Sequence, residues 1–238
     1  MNNTINIASY LDSTYLKTAE EAGITEMNNQ KKVEQVIKEA IVASFACVMI
    51  RPKYVSIAKK IIDNNKSNLK IGTVIDFPLG ISDTTVKILQ AKNAILDGAY
   101  DIDYVCDYNS FKRGNFEKFD KDILEGTQIV LNNNGIVKWI IETGALSREE
   151  IRAISKRITS LIEKNFSDNI AQVFIKTSTG YYGGYGATIK DIKVIKSVSG
   201  NLKIKASGGV STLEKCLDMI EAGADRIGTS KAQLIINN

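Results

Sequence analysis

The stretch VFIKTSTG, residues 173–180, joins a short apolar run to a lysine and then to small hydroxylated residues and a glycine. Short apolar runs bounded by loop-forming residues are typical of the fully buried strands of a parallel sheet. Lys176 therefore lies at the carboxyl end of a predicted strand. Either the strand ends there and the amine reaches water, or the amine belongs to a functional site.

More short apolar runs occur along the chain, and the segments between them carry apolar residues at helical spacing. The eight predicted strands cover residues 10–12, 46–50, 70–75, 101–106, 138–142, 173–176, 203–206 and 225–229. This alternation over 238 residues predicts an α/β fold with one domain, residues 1–238, that forms a single (β/α)8 TIM barrel. A doubly wound open sheet is the alternative, but no GxGxxG motif follows the first strand.

Capping signals mark the ends of the predicted helices. Serine or threonine followed three residues later by a carboxylate indicates a helix start, and glycine indicates a helix end. The predicted starts are Ser147 with Glu150, Ser211 with Glu214 and, in weaker form, Thr188 with Asp191. The predicted ends are Gly98, Gly200 and Gly223, each shortly before a strand.

The composition is that of an ordinary globular protein. The chain has 31 Lys and Arg against 27 Asp and Glu, and the basic residues are scattered, which argues against a nucleic-acid partner. The start MNNTINIASY shows no signal peptide, and no apolar run approaches the ~20 residues that span a membrane. Cys47, Cys106 and Cys216 form no CxxC motif, so we expect reduced thiols and a cytoplasmic location.

The chain contains no histidine. This excludes Ser-His-Asp and Cys-His catalysis as well as zinc sites with histidine ligands. Any acid, base or nucleophile must come from Lys, Asp, Glu, Tyr, Ser or Cys. Lysine chemistry, which needs neither a metal nor an organic cofactor, is the leading expectation.

Two lysines, Lys176 and Lys205, end the sixth and seventh predicted strands, which lie ~4.8 Å apart in a sheet. Partial burial and a neighbouring cation both favour the neutral amine, which can attack a carbonyl and form a Schiff base. The alternative is that both amines are solvated strand ends.

A carboxylate in the fourth predicted strand, DIDYV, would face these lysines. Asp103 lies nearest the carboxyl end and could be ion-paired and pass protons, although Asp101 on the same face could serve instead. Asp12, at the end of the first strand, is a further substrate-binding candidate.

Glycine-containing loops follow the seventh and eighth strands, where barrels commonly bind phosphate through backbone N–H groups. The loops are ASGGV, 206–210, and RIGTS, 226–230, with a third arm after the sixth strand. The predicted binding residues are Thr179, Gly180, Gly208, Gly209, Gly228, Thr229 and Ser230. The alternative for each glycine is a tight turn between a strand and a helix.

Together, seven motifs distributed over the whole chain resemble those of deoxyribose-phosphate aldolases. They are LDSTYLK (11–17), GTVIDFPLG (72–80), DIDYV (101–105), IIETGAL (140–146), FIKTSTG (174–180), IKASGGV (204–210) and GADRIGTS (223–230). This resemblance implies a TIM-barrel class I aldolase that interconverts 2-deoxy-D-ribose 5-phosphate with glyceraldehyde 3-phosphate and acetaldehyde. It also implies that Lys176 forms the Schiff base, Lys205 perturbs it and Asp103 relays protons. The partner is then a small sugar phosphate, and a homodimer or larger homo-oligomer is possible.

Several positions depart from the motifs typical of this family. Ser13 replaces His, Met49 replaces Cys, Arg51 replaces Asn, Asp76 replaces Gly, Ser211 replaces Arg and Lys231 replaces Ser. These changes bear on substrate fit and rate. We hypothesise that Lys231 supplies the positive charge missing at Ser211, against the alternative that it points to solvent.

The sequence alone is compatible with two other functions. One is a different Schiff-base barrel, such as a transaldolase or a sugar-bisphosphate aldolase. The other is a non-catalytic sugar-phosphate binding paralogue, which the substituted loops favour and the retained Lys176, Asp103 and Lys205 oppose.

Overall fold

The computed structural model describes residues 5–237, which form a closed barrel of parallel strands in the order β1 to β8. The strands are β1 Leu11–Tyr15, β2 Cys47–Ile50, β3 Lys70–Ile75, β4 Asp101–Val105, β5 Ile136–Ile140, β6 Val173–Lys176, β7 Lys203–Ser207 and β8 Arg226–Thr229. The predicted (β/α)8 barrel is confirmed. Residues 1–4, part of the start that lacks a signal-peptide pattern, and Asn238, the predicted end of the domain, lie outside the described residues.

Helices surround the barrel and connect successive strands. They are α1 Ala19–Ala22, α2 Glu26–Val42, α3 Val55–Asn64, α4 Thr84–Leu96, α5 Tyr108–Lys112, α6 Phe116–Leu131, α7 Arg148–Asn165, α8 Ile189–Lys196, α9 Leu213–Glu221 and α10 Ala232–Ile236. No helix within residues 5–237 is both long enough and apolar enough to cross a membrane.

The main apolar core lies between the outer faces of the strands and the helices. Trp139 on β5 is fully buried there, stacked on Tyr104 of β4 with ring centroids 4.7 Å apart. Gly126 on α6 leaves room for it, since a Cβ at that position would lie 2.7 Å from the indole ring. Side chains alternate along a strand, so the residue before an outward-facing one points inward. Asp103, before Tyr104, and Lys138, before Trp139, therefore face the barrel interior.

Two strands have bounds that differ from the predicted ones by two residues or more. The first strand, predicted at 10–12, extends to Tyr15, because its polar residues Ser13 and Thr14 still pair with β2. The fifth, predicted at 138–142, begins at Ile136, whose N–H donates to Tyr100 O, and ends at Ile140. The other predicted strand boundaries agree with the structure to within one residue.

The cap predictions are mostly confirmed. Ser147 and Glu150 form a reciprocal capping box at α7, and Thr188 caps α8 by accepting from Asp191 N. The prediction for Ser211 is wrong: Thr212 is the N-cap of α9 and accepts from Lys215 N. The three glycines Gly98, Gly200 and Gly223 have φ of 112°, 52° and 115°, the left-handed region expected after a helix.

Candidate active site

Charged side chains converge in the interior of the barrel. Three carboxylates and four cations form one ion-pair network: Asp12, Asp101, Asp103, Lys138, Lys176, Lys205 and Arg226. All except Arg226 are at most 3% exposed. Burying charges is costly unless they are paired, and here the cations exceed the carboxylates by one. One positive charge of the network therefore has no carboxylate to balance it, and the cation with the fewest ionic contacts is the easiest to deprotonate.

Asp103 is the centre of this network. Its Oδ2 accepts from Lys176 Nζ at 2.8 Å and from Lys205 Nζ at 2.9 Å, and its Oδ1 accepts from Lys138 Nζ at 3.1 Å. Burial alone would raise the pKa of Asp103, but the charges of the three lysines outweigh it and hold the pKa far below its usual range. Asp103 is therefore ionised at any physiological pH.

Lys176 has the weakest ionic support of the four cations. Asp103 is its only ion-pair partner within residues 5–237, whereas Lys138, Lys205 and Arg226 each reach at least two carboxylates. Burial, followed by the charges of Lys205 and Lys138, lowers the pKa of Lys176 from 10.5 to about 8, although Asp103 opposes the shift. Roughly one amine in ten is then neutral at pH 7.

Lys205 pairs with Lys176 in the register of β6 and β7, as the sequence predicts. Its Nζ lies 2.6 Å from Asp12 Oδ2 and 2.9 Å from Asp103 Oδ2. Asp12 is fully buried and also bonded to Arg226, so it holds Lys205 from inside the barrel. Asp12 thus lies beside the lysines, paired in the strand register with Gly228 of β8.

Lys138 and Arg226 were missed by sequence reasoning. Lys138 lies opposite Asp103 in the register of β4 and β5 and binds Asp101 and Asp103. Burial opposes its charge, but Asp101 and Asp103 dominate and raise the pKa of Lys138. The available signal was alternation: Lys138 precedes the outward-facing Trp139 by one position, so it must face inward.

One group of buried side chains has the composition of a metal site. Ligand atoms of Asp12, Cys47 and Asp101 lie within 4.8 Å of one another. The same two carboxylates bind Lys138 and Arg226, so their charge is already compensated. Burial, then Asp101 and Asp12, raises the pKa of the Cys47 thiol and disfavours the thiolate that a metal would need.

The glycine loops expose backbone donors at the barrel mouth. Within residues 5–237, no protein atom accepts a hydrogen bond from the N–H of Gly180, Gly208, Gly209 or Ser230. The loops after β6 and β7 approach closely, since a Cβ on Gly208 would lie 3.5 Å from Gly180 Cα. Four free N–H groups from three neighbouring loops are the donors an oxyanion requires.

The remaining residues of these loops have other partners. The hydroxyl of Thr229 donates to Val210 O at 2.6 Å and accepts from Lys231 N. Gly228 lies within β8, where a Cβ would be 2.9 Å from Lys205 Cε, so this glycine makes room for the lysine. The N–H and hydroxyl of Thr179 both donate to Glu142.

Lys231 is exposed and begins α10, beside a cavity of about 810 Å³ next to the glycine loops. Thr179, Gly180 and Ser230 line the same cavity, together with Lys17 and Lys32. Lys231 is thus positioned to add positive charge near the free N–H groups.

The chain is 35% identical over 233 residues to the deoxyribose-phosphate aldolase of Thermococcus gammatolerans, covering 98% of this chain and 96% of that protein. It is 42% identical over 207 residues to the enzyme of that name from Dictyoglomus turgidum, covering 86% and 88%. The chain belongs to the deoxyribose-phosphate aldolase family. The resemblance in its motifs is confirmed.

A solved structure agrees with this assignment. QR15, an aldolase, superimposes with a TM-score of 0.82 at 32% identity, covering 98% of this chain and 96% of that one. No protein-family model matches the chain.

Two departures from the family's motifs are accommodated locally. Asp76, where the family has glycine, adopts φ 53°, which Asp tolerates better than most residues. Its carboxylate accepts from Ser82 N and Oγ, and its N–H donates to Gln90. Met49 is buried with Leu16, Cys47 and Val74 in a small apolar cluster, which gives the charged interior one apolar side.

Arg51, where the family has asparagine, connects loops around the barrel mouth. Its Nε donates to Leu16 O at 2.7 Å, and its guanidinium lies 5.2 Å from the ring centre of Phe77 and 6.0 Å from that of Tyr181. These rings contact each other edge to face. The loops after β2, β3 and β6 thus meet in one cluster, at a position where the family's asparagine could not reach both rings.

Proposed function

We propose that the chain is a class I aldolase that reversibly cleaves 2-deoxy-D-ribose 5-phosphate to D-glyceraldehyde 3-phosphate and acetaldehyde, with Lys176 as the Schiff-base lysine. The supporting observation is the environment of Lys176, a buried amine with a pKa of about 8 that is hydrogen-bonded to Asp103. A neutral amine on the barrel interior at a strand end is the nucleophile that this chemistry needs.

The reaction begins when the Lys176 nitrogen attacks C1 of the open-chain sugar and water leaves, giving a protonated imine. Removal of the C3 hydroxyl proton then breaks the C2–C3 bond, and its electron pair moves into the imine. Glyceraldehyde 3-phosphate departs and an enamine remains. Protonation of the enamine at C2 and hydrolysis of the imine release acetaldehyde and restore the amine.

Proton transfer falls to Asp103, acting through water. Because three lysines keep Asp103 ionised, it is a weak base on its own but a strong hydrogen-bond acceptor. A water held by it can take the C3 hydroxyl proton and return it to the enamine. Lys205 keeps the amine of Lys176 reactive through its charge, with Asp12 holding Lys205 in place.

The phosphate binds the free N–H groups of Gly180, Gly208, Gly209 and Ser230. These donors carry only partial charge, so we assign Lys231 the role of a full positive charge in place of the arginine missing at Ser211. A point charge on a flexible stem supplies affinity without the bidentate geometry of arginine.

Assembly and location stay predictions. A tetrameric structure is described for the deoxyribose-phosphate aldolase of Aeropyrum pernix, which is 24% identical to this chain. We expect a homodimer or larger homo-oligomer, and a cytoplasmic enzyme.

A turnover assay tests the function directly. Acetaldehyde release from 2-deoxyribose 5-phosphate, with a ketose monophosphate and a ketose bisphosphate as alternative substrates, separates the possibilities. We expect turnover of the deoxy sugar phosphate alone. Preference for a ketose phosphate would indicate a transaldolase or bisphosphate aldolase, and binding without turnover would indicate a non-catalytic paralogue.

A further inference from the structure

Glu142 has an unusual backbone conformation beside the active site. It lies two residues after β5 with φ 57° and ψ 68°, a left-handed conformation that is uncommon for any residue with a Cβ. Strain of this kind persists where the surrounding structure imposes it, and it is concentrated at functional sites. The conformation ends the strand and turns the carboxylate toward the β6 loop.

The carboxylate of Glu142 is buried and holds one residue, Thr179. It accepts from Thr179 N at 3.2 Å and from Thr179 Oγ1 at 2.5 Å, and the residue is 1% exposed. The hydroxyl of Thr179 in turn accepts from Tyr181 N at 3.0 Å. One carboxylate therefore fixes the turn that contains Gly180.

No lysine or arginine nitrogen within residues 5–237 lies within ion-pair distance of this carboxylate. Burial raises the pKa of Glu142, while the hydrogen bonds from Thr179 and the charge of Lys176 oppose the rise. A buried carboxylate with hydrogen bonds but no ion pair is costly to retain.

The neighbouring contacts show what Glu142 adds. Ile141 N donates to Lys176 O and Thr143 N donates to Thr177 O, so the β5 loop already continues the sheet alongside the β6 loop. Those bonds hold the backbone of Lys176 without the Glu142 side chain. Glu142 acts one step further along, at Thr179, and leaves the next N–H, that of Gly180, without an acceptor in the protein.

We propose that Glu142 is a positioning residue for the phosphate of the substrate. Its carboxylate engages both donors of Thr179, which directs the N–H of Gly180 to the phosphate group alongside the donors of Gly208 and Gly209. This role rests on the proposed function. It concerns the phosphate arm only, so it predicts an effect on phosphate recognition and none on imine formation by the neutral Lys176 amine.

The test replaces the acceptor by a group of the same shape, Glu142→Gln, with Glu149→Gln, an exposed glutamate of α7, as the matched control. We expect Glu142→Gln to raise KM for 2-deoxyribose 5-phosphate by about tenfold, the effect of losing one hydrogen bond to a charged group. KM for unphosphorylated deoxyribose should stay within about twofold of wild type. So should the rate of borohydride trapping with acetaldehyde above pH 8, where the Lys176 amine is neutral in both proteins. Glu149→Gln should match wild type in all three.

Other outcomes distinguish a failure of the role proposed for Glu142 from a failure of the proposed aldolase function. Equal losses on both sugars, or an unchanged KM for the phosphate ester, would overturn the role of Glu142 while leaving the aldolase intact. A wild-type enzyme that shows no preference for the phosphorylated sugar would instead refute the phosphate site. If Glu142→Gln does not fold, Thr179→Val removes the hydroxyl donor to Glu142. The same comparison of KM for the phosphorylated and the unphosphorylated sugar then tests the proposal.

Discussion

Among residues 5–237, Lys176 has one carboxylate partner, whereas the other interior cations have two or more. That difference makes it the spare positive charge of the network. With a pKa of about 8, a fraction of the Lys176 amines is neutral at neutral pH, so the reactive form is already populated.

The pH dependence of imine formation follows from this pKa. Because only the neutral amine attacks, the rate of trapping with acetaldehyde should rise about tenfold per pH unit below pH 8 and level off above it. Burial lowers the pKa most and Lys205 adds to it, so Lys205→Met should move the profile to higher pH. Lys193→Met, an exposed lysine of α8, should leave it unchanged. A profile that stays in place when Lys205 is removed would show that Lys205 does not tune Lys176.

Asp103 can be tested by a change that keeps its shape. Asp103→Asn removes a charge that favours protonated Lys176, so the pKa of Lys176 should fall further and the amine should be neutral more often. A loss of kcat of ~10²–10⁴-fold would then report proton transfer and not amine ionisation. Asp101→Asn is the comparison variant. If Asp101→Asn shows the loss and Asp103→Asn stays within about twofold of wild type, the role belongs to Asp101.

At the scale of elements, the loops after β6, β7 and β8 divide the work. The β7 and β8 loops contribute free N–H groups and glycines, and Gly228 serves packing against Lys205. The β6 loop carries Gly180 four residues after Lys176, the end of β6. The proposed phosphate recognition and the proposed Schiff-base chemistry are therefore adjacent along the chain but rest on different atoms.

Lys231 provides the test of how the phosphate is held. Lys231→Ala should raise KM for 2-deoxyribose 5-phosphate by at least about tenfold, since a charged hydrogen bond contributes roughly 1.5–3 kcal/mol. KM for unphosphorylated deoxyribose should not change, because that sugar has no anion to bind. Equal effects on both sugars, or none, would place Lys231 among ordinary surface lysines.

At the scale of the whole molecule, much of the fold was predictable because parallel strands and amphipathic helices have distinct periods. The convergence of Asp103, Lys176 and Lys205 followed from their positions at strand ends. Sequence reasoning missed Lys138 and Arg226 because a charged residue near the start of an apolar run is typical of a solvent-exposed strand end. These two side chains are enclosed only because the barrel closes around them. The left-handed turn at Glu142 had no local signal, since it depends on Thr179, 37 residues away.

The closed barrel accounts for the network as a unit. Six strands contribute the seven charges: β4 supplies two, and β1, β5, β6, β7 and β8 supply one each. The apolar cluster around Met49 completes the interior on the β2 and β3 side. The charged interior therefore exists only when all of these strands are in place in the closed barrel.

Covalent trapping tests the central claim, that Lys176 forms the Schiff base. Borohydride added with acetaldehyde or 2-deoxyribose 5-phosphate should reduce the imine and leave the mass of the adduct on the peptide that contains Lys176. Lys176→Ala should abolish both adduct and turnover while the circular dichroism spectrum and unfolding midpoint stay near those of wild type. An adduct confined to Lys205, or no adduct in an enzyme that still turns over, would contradict the account.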